Sequence, residues 1–318
     1  MGKIALFGAA GAIGRSIADA LRAKGEAYRV VGRNRERLAE TFGSDPNAEI
    51  VTWDPADAAS VRAAARGVDT LIYLVGVPYH HFELHPVTMR QTLDGAIAEG
   101  VKRVVLIGTV YPYGVPVTEK VSEEHPRNPP TYKGKMRKEQ EDILLAAHAA
   151  GEIQATVLRL PDFYGPGVES SFLDGLFKAV ANGKTADMVG PIDTPHEFVF
   201  VPDVGPVVLA LAEKPEAYGR WWNLAGAGVT TQRKMAEQAF ALGGRKPKIR
   251  VVGKLGLRLI GLFQPLMKEL VEMQYLQTTP VLMDDSALMG LLGHVHKTSY
   301  AEGVRLSVES YRAAITKA

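Results

Sequence analysis

Three glycines near the start of the chain, Gly8, Gly11 and Gly14, stand at three-residue spacing between a short apolar run and a helical pattern. Gly8 allows a sharp turn out of a strand, Gly11 lets a pyrophosphate approach the backbone, and Gly14 lets the helix pack closely on the strand. The amides at the start of that helix, including those of Ala12 and Ile13, would then face the phosphates. The pattern predicts a dinucleotide-binding turn. A glycine-rich turn without a ligand is the alternative.

A basic cluster follows the second apolar run. Arg33, Asn34 and Arg35 stand where proteins that prefer NAD place an acidic residue for the ribose 2′-hydroxyl. Guanidinium groups instead suit a 2′-phosphate, because they can bind it through paired hydrogen bonds. The cluster therefore favours NADP as the cofactor and makes NAD the less favoured one. Arg15 and Arg37 are further contributors, and a solvated, arginine-rich helix start is the alternative.

Asp54 closes the third apolar run and has two readings. Its carboxylate could accept a hydrogen bond from the adenine amino group. It could equally cap the helix that is predicted to follow Pro55. We keep Asp54 among the cofactor-binding candidates.

These candidates lie along an alternation of strand and helix patterns. Apolar strand patterns occur near Ile4–Phe7, Arg29–Val31, Glu49–Thr52, Thr70–Val75, Arg103–Ile107 and Thr156–Leu160. Helical patterns lie between them, near Ala12–Lys24, Arg35–Thr41, Ala58–Ala65, Pro86–Glu99 and Lys135–Ala150. Such alternation indicates βαβ units, and right-handed crossovers then predict an α/β fold with a doubly wound parallel sheet of the NAD(P)-binding Rossmann type. Ligands of such sheets bind at the carboxyl ends of the strands.

The pattern loosens from about Gly165, where prolines and glycines become frequent. We expect residues 1–165 to form the dinucleotide-binding domain, with returning elements near 197–224. Residues 166–196 and 225–318 are expected to form a smaller C-terminal substrate-binding lobe.

The composition limits the possible partners. The 318 residues include 37 basic and 35 acidic side chains, a net charge of +2, which gives no general attraction to nucleic acid or membranes. The absence of cysteine excludes disulfides, thiolate metal sites and a cysteine nucleophile. The first strand begins too early for a signal peptide, and the apolar stretch from Leu255 to Met267 is too short to span a bilayer. We therefore expect a cytoplasmic protein with a small-molecule substrate.

Histidines after the fourth strand are the remaining candidates for a metal site. His81 and His85 are four residues apart, but Pro86 follows directly and the only nearby carboxylate is Glu83. A metal ion would need more ligands on a formed helix. We expect no metal site, and regard contact with a substrate as the better alternative for His80, His81 and His85.

Further segments occur in a characteristic order after the glycines: Leu74-Val75-Gly76, residues 108–114, residues 158–166, residues 198–204 and Trp222-Asn223-Leu224. With them the chain resembles the extended short-chain dehydrogenase/reductase family, in its NAD-dependent epimerase/dehydratase branch, over nearly its whole length. The resemblance implies a nicotinamide-dependent enzyme. It also adds Leu74, Val75, Gly76 and Pro161 to the candidate cofactor-binding residues.

The family's usual catalytic set is a Ser or Thr after the fifth strand, with a Tyr and a Lys four residues apart on the next helix. Thr109 matches the hydroxyl position. Tyr132, however, is not followed by a lysine four residues later. Alignment on Gly134 places Lys133 at the tyrosine position and Arg137 at the lysine position. We therefore expect an atypical active site.

Hydride transfer at a carbonyl needs a proton donor or a cation near the developing negative charge. Lys133, Tyr111 and Tyr132 are the candidate donors. Arg137 could hold the ribose or a phosphate as a fixed cation but could not exchange protons. The alternatives are a charged helix face for Lys133 and Arg137, and a buried aromatic side chain for Tyr111.

Apolar residues of the second lobe suggest the substrate. Candidates for its pocket are Phe163, Tyr164, Phe172, Leu173, Leu176 and Phe177, with Leu255–Phe263, Leu266 and Met267. We expect an NADP-dependent oxidoreductase that acts on a small, apolar carbonyl-type substrate. The alternatives are a nucleotide-sugar epimerase or dehydratase with bound NAD, and a non-catalytic NADP(H)-binding sensor. The helices near 86–99 and 135–150 could pair across a twofold axis in a homodimer.

Overall fold

The computed structural model describes residues 2–169, 171–253 and 272–317. Its strands are β1 Ile4–Phe7, β2 Tyr28–Gly32, β3 Ala48–Thr52, β4 Thr70–Tyr73, β5 Arg103–Thr109, β6 Gln154–Leu160, β7 Asp162–Tyr164, β8 Ala186–Val189, β9 Phe198–Phe200, β10 Trp221–Asn223 and β11 Ile249–Val252. Seven of them form one sheet in the order β10-β6-β5-β4-β1-β2-β3, and every pairing in it is parallel. The pairs β8–β11 and β7–β9 form two small parallel sheets.

Helices connect these strands. They are α1 Ala12–Ala23, α2 Arg35–Phe42, α3 Ala58–Ala65, α4 Leu84–Ala98, α5 Tyr132–Ala149, α6 Asp174–Ala181, α7 Val201–Glu213 and α8 Gln232–Leu242. Further helices cover Tyr275–Thr278, Ser286–Leu292 and Tyr300–Lys317. The strand order reverses beside β1, so the predicted doubly wound parallel sheet is confirmed. The predicted strands and helices of the first half are confirmed within about three residues at each end.

Helices pack on both faces of the large sheet. Successive residues of β1 point to opposite sides: Leu6 joins one buried cluster, with residues of α1, α2 and α7, and Phe7 joins the other, with residues of α3, α4 and α5. Both side chains are completely buried. Burial of a side chain of this size contributes about 1.5–3 kcal/mol, so the two clusters together fix the sheet between its helical layers.

A smaller apolar cluster lies outside the sheet. It contains Phe177 of α6, Met188 of β8, Phe240 of α8 and Val304 of the C-terminal helix. A fourth cluster joins Tyr113 and Val121, which follow β5, to Met273, Leu276 and Met283. These contacts bring the later part of the chain against the carboxyl end of β5.

Local signals explain the helix ends near the sheet's carboxyl edge. Asn34 caps α2 by accepting a hydrogen bond from Arg37 N at 2.8 Å, and Thr131 caps α5 by accepting one from Gly134 N at 3.1 Å. Because α5 begins at Tyr132 and not near Lys135, Tyr132 and Lys133 belong to its first turn. No helix within the described ranges combines the length and apolarity that a membrane span needs.

Candidate active site

A cavity of about 440 Å³ opens at the carboxyl edge of the large sheet. Its walls come from the loop after β1, the ends of β4, β5 and β6, and the loop after β7. Nine of the predicted cofactor-binding residues line it: Gly8, Gly11, Ala12, Ile13, Gly14, Leu74, Val75, Gly76 and Pro161. The cavity therefore lies where parallel α/β sheets bind their ligands.

The glycine turn has a geometry that larger residues would not allow. Gly8 has a φ of +88°, and a Cβ there would lie 2.8 Å from the backbone of Leu74. A Cβ on Gly14 would lie 2.1 Å from Ala9 O, whereas one on Gly11 would meet no atom within 4 Å. Gly8 and Gly14 thus keep the turn tight, and Gly11 leaves backbone exposed beside the cavity. A pyrophosphate fits this arrangement at the N-terminus of α1.

Arg15 and Arg37 lie on the cavity wall near the glycine turn. Arg15 donates from Nη1 to Ala10 O at 3.3 Å and from Nη2 to Gly167 O at 2.5 Å. Arg37 has its Nη2 3.8 Å from a carboxylate oxygen of Glu169. The sequence suggests both arginines only as further contributors to a 2′-phosphate site.

The other predicted residues of the cofactor site lie outside this wall. Arg33, Asn34 and Arg35 are exposed at the start of α2, and the Asn34 side chain is used as its cap. Asp54 is also exposed, and its Oδ1 accepts a hydrogen bond from Ala56 N at 2.9 Å. The capping role that we considered for Asp54 is wrong, because Asp57 caps α3 through Ala59 N.

Thr109 lines the cavity at the end of β5. Its Oγ1 accepts a hydrogen bond from Tyr111 N at 3.3 Å, which leaves the hydroxyl hydrogen able to point into the cavity. Tyr111 follows in a 3₁₀ turn, Tyr111–Tyr113, and packs against Phe82. Desolvation raises the pKa of the Tyr111 phenol well above its ordinary value, with a further increase from the neighbouring Tyr79 and Asp162.

Lys133 is buried, with 2% of its surface exposed. Its Nζ lies 2.6 Å from Glu272 Oε2, and its backbone N–H donates to Oε1 of the same carboxylate at 3.0 Å. The ammonium also lies over the rings of Tyr79 and Phe82, at 5.1 and 5.6 Å from their centroids. Tyr132, the neighbouring candidate donor, is 52% exposed on the surface.

Arg137 lies one turn further along α5 and lines the cavity. Its Nη1 lies 3.2 Å from His85 Nδ1, and its Nη2 donates to Ile107 O at 3.2 Å. Burial, with the nearby positive charge of Arg137, lowers the pKa of His85 to about 2. His85 is therefore neutral and accepts from Arg137, so the guanidinium is held in one position at the cavity wall.

The other histidines have local partners. His81 Nδ1 lies 2.9 Å from Glu83 Oε1, and His196 Nε2 lies 2.7 Å from Asp162 Oδ2. Among the described residues no group of three or more potential ligands could hold a metal ion. Asp162 directly follows Pro161 of the cavity wall in the chain.

The residues predicted to form an apolar pocket do not lie together. Phe163 lines the cavity, but Tyr164, Leu173, Leu176 and Phe177 are buried in the cluster of the smaller lobe and Phe172 is only partly buried. The pocket placement of Tyr164, Leu173, Leu176 and Phe177 is wrong, because β7 and the buried face of α6 direct these side chains into the core. The stretches Leu255–Phe263 and Leu266–Met267 lie outside the described residues.

Sequence reasoning missed two carboxylates that contact candidate residues. Glu272 binds Lys133 from a position 139 residues away, and Glu169 lies beside Arg37. Neither belongs to a motif. Each is brought to the site by the packing of a later segment, for which the sequence carries no local signal.

The architecture and the cavity together define a dinucleotide-binding α/β protein. The model of the NAD-dependent epimerase/dehydratase family matches residues 4–225, and the chain belongs to that family. It is therefore an enzyme of the short-chain dehydrogenase/reductase type. A small-molecule substrate and a nicotinamide cofactor agree with this membership.

Two curated relatives of the chain are dehydrogenases. The dTDP-6-deoxy-L-talose 4-dehydrogenase (NAD(P)(+)) of Kitasatospora kifunensis is 27% identical over 264 residues, covering 79% of this chain and 82% of that protein. The uronate dehydrogenase of Pseudomonas putida is 30% identical over 147 residues, covering 44% of this chain and 53% of that protein.

Solved structures show the same fold at lower identity. UDP-glucuronic acid 4-epimerase from Bacillus cereus in complex with NAD has a TM-score of 0.80 and 16% identity, covering 98% of this chain and 99% of that one. A dTDP-glucose 4,6-dehydratase from Streptomyces venezuelae with NAD has a TM-score of 0.83 and 20% identity, covering 99% of this chain and 98% of that one.

Proposed function

We propose that this enzyme binds NADP(H) in the cavity at the carboxyl edge of the sheet and oxidises or reduces a small molecule at a hydroxyl or carbonyl carbon. One observation supports this most strongly. The same cavity brings together the glycine turn, two arginines, Thr109 and Arg137. Such a cavity contains a phosphate site, a positive wall and polar groups for a reacting oxygen.

The cofactor assignment depends on charge. Among the described residues no carboxylate pairs with Arg15, whose guanidinium contacts only carbonyl oxygens. Arg37 adds a second positive charge, and no acidic residue ends β2. These features favour a 2′-phosphate, so we propose NADP over NAD. The glycine turn and the ends of β4 and β6 would hold the remainder of the dinucleotide.

A bound nicotinamide supplies or accepts the hydride. Thr109 would orient the reacting oxygen of the substrate through its hydroxyl hydrogen. Arg137, fixed by His85 and Ile107, would stabilise negative charge on that oxygen without giving up a proton. Arg137 thus stands at the position where the family normally has a lysine.

We assign the proton transfer to Tyr111. Its backbone N–H donates to the Thr109 hydroxyl on the cavity wall, and a tyrosine phenol is protonated at neutral pH. An alkoxide formed by reduction is a strong enough base to accept that proton. Lys133 is instead engaged by Glu272 and enclosed by two aromatic rings, and Tyr132 is at the surface.

The substrate has two candidate classes. Phe163 on the cavity wall favours the small, apolar carbonyl compound expected from the sequence. The names of the two curated relatives, a dehydrogenase of a dTDP-sugar and one of a uronate, favour a sugar instead. Oxidation of a sugar hydroxyl, or epimerisation or dehydration of a nucleotide sugar with bound NAD, is therefore the second candidate function.

The proposal includes a substrate site beside the cofactor. We propose that residues 1–165 and 197–224 hold the nucleotide, and that 166–196 and 225–318 form the substrate-binding lobe. The apolar cluster of α6, β8, α8 and the C-terminal helix would be its core. A homodimer and a cytoplasmic location stay predictions.

Calorimetry and turnover test the proposal together. NADPH and NADH are titrated into the protein, and turnover is then followed as oxidation of NADPH with aldehydes and ketones and as reduction of NADP+ with uronates and dTDP-sugars. We expect NADPH to bind more tightly than NADH. Tyr111→Phe should keep that binding and reduce kcat by about a hundredfold to ten-thousandfold, the range for loss of a general acid.

Two results would contradict the assignment. Absence of heat with either nucleotide would remove the cofactor site. A Tyr111→Phe variant with normal turnover, beside a Lys133→Met variant that binds NADPH but is inactive, would move proton transfer to Lys133.

A further inference from the structure

A short segment after β7, residues 165–169, borders the cavity entrance and is fixed on both sides. We call it the strap. Gly167 O accepts a hydrogen bond from Arg15 at 2.5 Å, and Val168 O accepts one from the Tyr311 hydroxyl at 2.6 Å. Val168 is 1% exposed. The strap is therefore held to the nucleotide-binding helix by Arg15 and to the C-terminal helix by Tyr311.

Glu169 ends the strap and lies at Arg37. The carboxylate oxygen and guanidinium nitrogen are 3.8 Å apart, both residues line the cavity, and their side chains are 73% and 58% exposed. Ion pairs as exposed as this one contribute little to stability, because water screens both charges. A stronger anion can therefore displace the Glu169 carboxylate from Arg37.

Arg37 lies in the first turn of α2, directly after β2. In folds of this type the ribose of the adenosine lies at the end of that strand. A 2′-phosphate and the Glu169 carboxylate would then compete for the guanidinium of Arg37. We propose that Glu169 is an internal anion that competes with the 2′-phosphate for Arg37 and thereby reduces the preference for NADP over NAD.

This inference rests on the proposed function, since it concerns the same nucleotide site. NADH leaves the Arg37–Glu169 pair intact, because its ribose carries no 2′-phosphate. NADPH has to separate the pair and place its phosphate near the carboxylate. The bonds from Arg15 and Tyr311 hold the backbone of Gly167 and Val168, so the displaced Glu169 carboxylate stays on a segment anchored at the cavity. Its repulsion then acts more strongly on NADPH, which alone carries a phosphate at Arg37.

The test measures the dissociation constants of NADPH and NADH by calorimetry for the wild type, Glu169→Gln, Arg37→Gln and the double variant. We expect Glu169→Gln to bind NADPH about fivefold tighter and to keep its affinity for NADH within about twofold, since removal of one exposed charge changes binding by such amounts. The gain for NADPH should shrink in high salt. It should also be smaller in the Arg37→Gln background.

A matched control makes the same change of charge at a position outside the cavity. Glu302→Gln on the C-terminal helix also removes an exposed carboxylate. Glu302 lies outside the cavity lining and pairs with Arg305 at 2.6 Å. Both dissociation constants should be unchanged in this variant. Circular dichroism checks that every variant is folded.

The failures can be told apart. If the wild type binds both nucleotides and Glu169→Gln shifts them equally, or shifts neither, Glu169 is not a competitor and this inference alone is wrong. If the wild type binds neither nucleotide, the proposed function and the inference are both wrong.

Discussion

At the scale of single residues, the site depends on how its cations are held. Arg137 is 8% exposed and has two fixed hydrogen-bonding partners, one of them the neutral His85. Burial lowers the pKa of the guanidinium, but an arginine remains charged across the accessible pH range. A positive charge that cannot titrate or turn away is suited to stabilising an oxyanion.

Replacement of Arg137 by methionine tests that role. We expect kcat to fall by about a hundredfold to a thousandfold, as for the loss of an oxyanion-stabilising donor, while binding of NADPH changes less. Steady-state kinetics and calorimetry measure the two effects. Lys135→Met removes an exposed charge from the same helix and should leave both unchanged. An Arg137→Met variant with normal kcat would contradict the assignment.

How far the sequence predicts the site depends on the distance between partners along the chain. The glycine turn, Thr109 and the shifted Lys133 and Arg137 follow from local motifs and from the resemblance. Glu272 and His85 do not, because they reach their partners across 139 and 52 residues. Asp54 does not cap α3, because Asp57, three residues on, offers the same carboxylate directly before the helix.

At the scale of elements, the helix that carries the glycine turn is braced by α7. The Ser16 hydroxyl of α1 donates to Pro202 O at 3.2 Å and accepts from Gly205 N at 3.0 Å. A Cβ on Gly205 would lie 2.2 Å from Ser16 O. Only a glycine at this position lets the two helices approach so closely.

Gly205→Ala should therefore separate α1 from α7. We expect a loss of about 2–3 kcal/mol in the free energy of unfolding, the cost of overpacking a tight contact, with weaker NADPH binding. Urea denaturation measures the first effect. Gly290→Ala is the control, since it also replaces a helical glycine but its Cβ meets nothing within 4 Å. That variant should be as stable as the wild type or slightly more stable. Equal effects of the two substitutions would contradict the close approach.

The sheet and its first five helices were predictable because their apolar periods are regular. The helix α5 begins three residues before its predicted start. Its first turn, Tyr132 to Lys135, has no apolar periodicity, and only the Thr131 cap marks it. The smaller lobe was the hardest part. Its apolar residues could line a pocket or fill a core, and only long-range packing decides between these.

At the scale of the whole molecule, residues near the end of the chain return to the main sheet. Val121 N donates to Leu282 O at 2.7 Å, and Ala225 N donates to Asp285 Oδ2 at 3.0 Å. Glu197 joins the same junction, where its Oε2 accepts from Met283 N at 3.2 Å. Burial, with a smaller contribution from Asp285, raises the pKa of Glu197 to about 7, although the hydrogen bond from Met283 N and the charge of Lys297 lower it.

The raised pKa of Glu197 makes stability depend on pH. The folded pKa lies above the ordinary value of 4.5, so the contribution of this residue is full below about pH 4.5 and is lost as the pH rises through 7. The loss is at most about 3 kcal/mol, because a tenfold change in a protonation equilibrium corresponds to about 1.4 kcal/mol. Glu197→Gln should therefore gain stability relative to the wild type between pH 5 and pH 8, as measured by urea denaturation. Parallel stability curves for the two proteins would contradict the raised pKa.

The C-terminal segment contributes contacts to the surroundings of the candidate site. The family model ends at residue 225, yet Glu272 reaches Lys133 and the residues near 283 lie against the loop after β5. Substitutions in this C-terminal segment would change the surroundings of Lys133 and of the loop after β5 and leave the glycine turn unaltered. We therefore expect that substrate preference can be altered through this segment without a change of coenzyme.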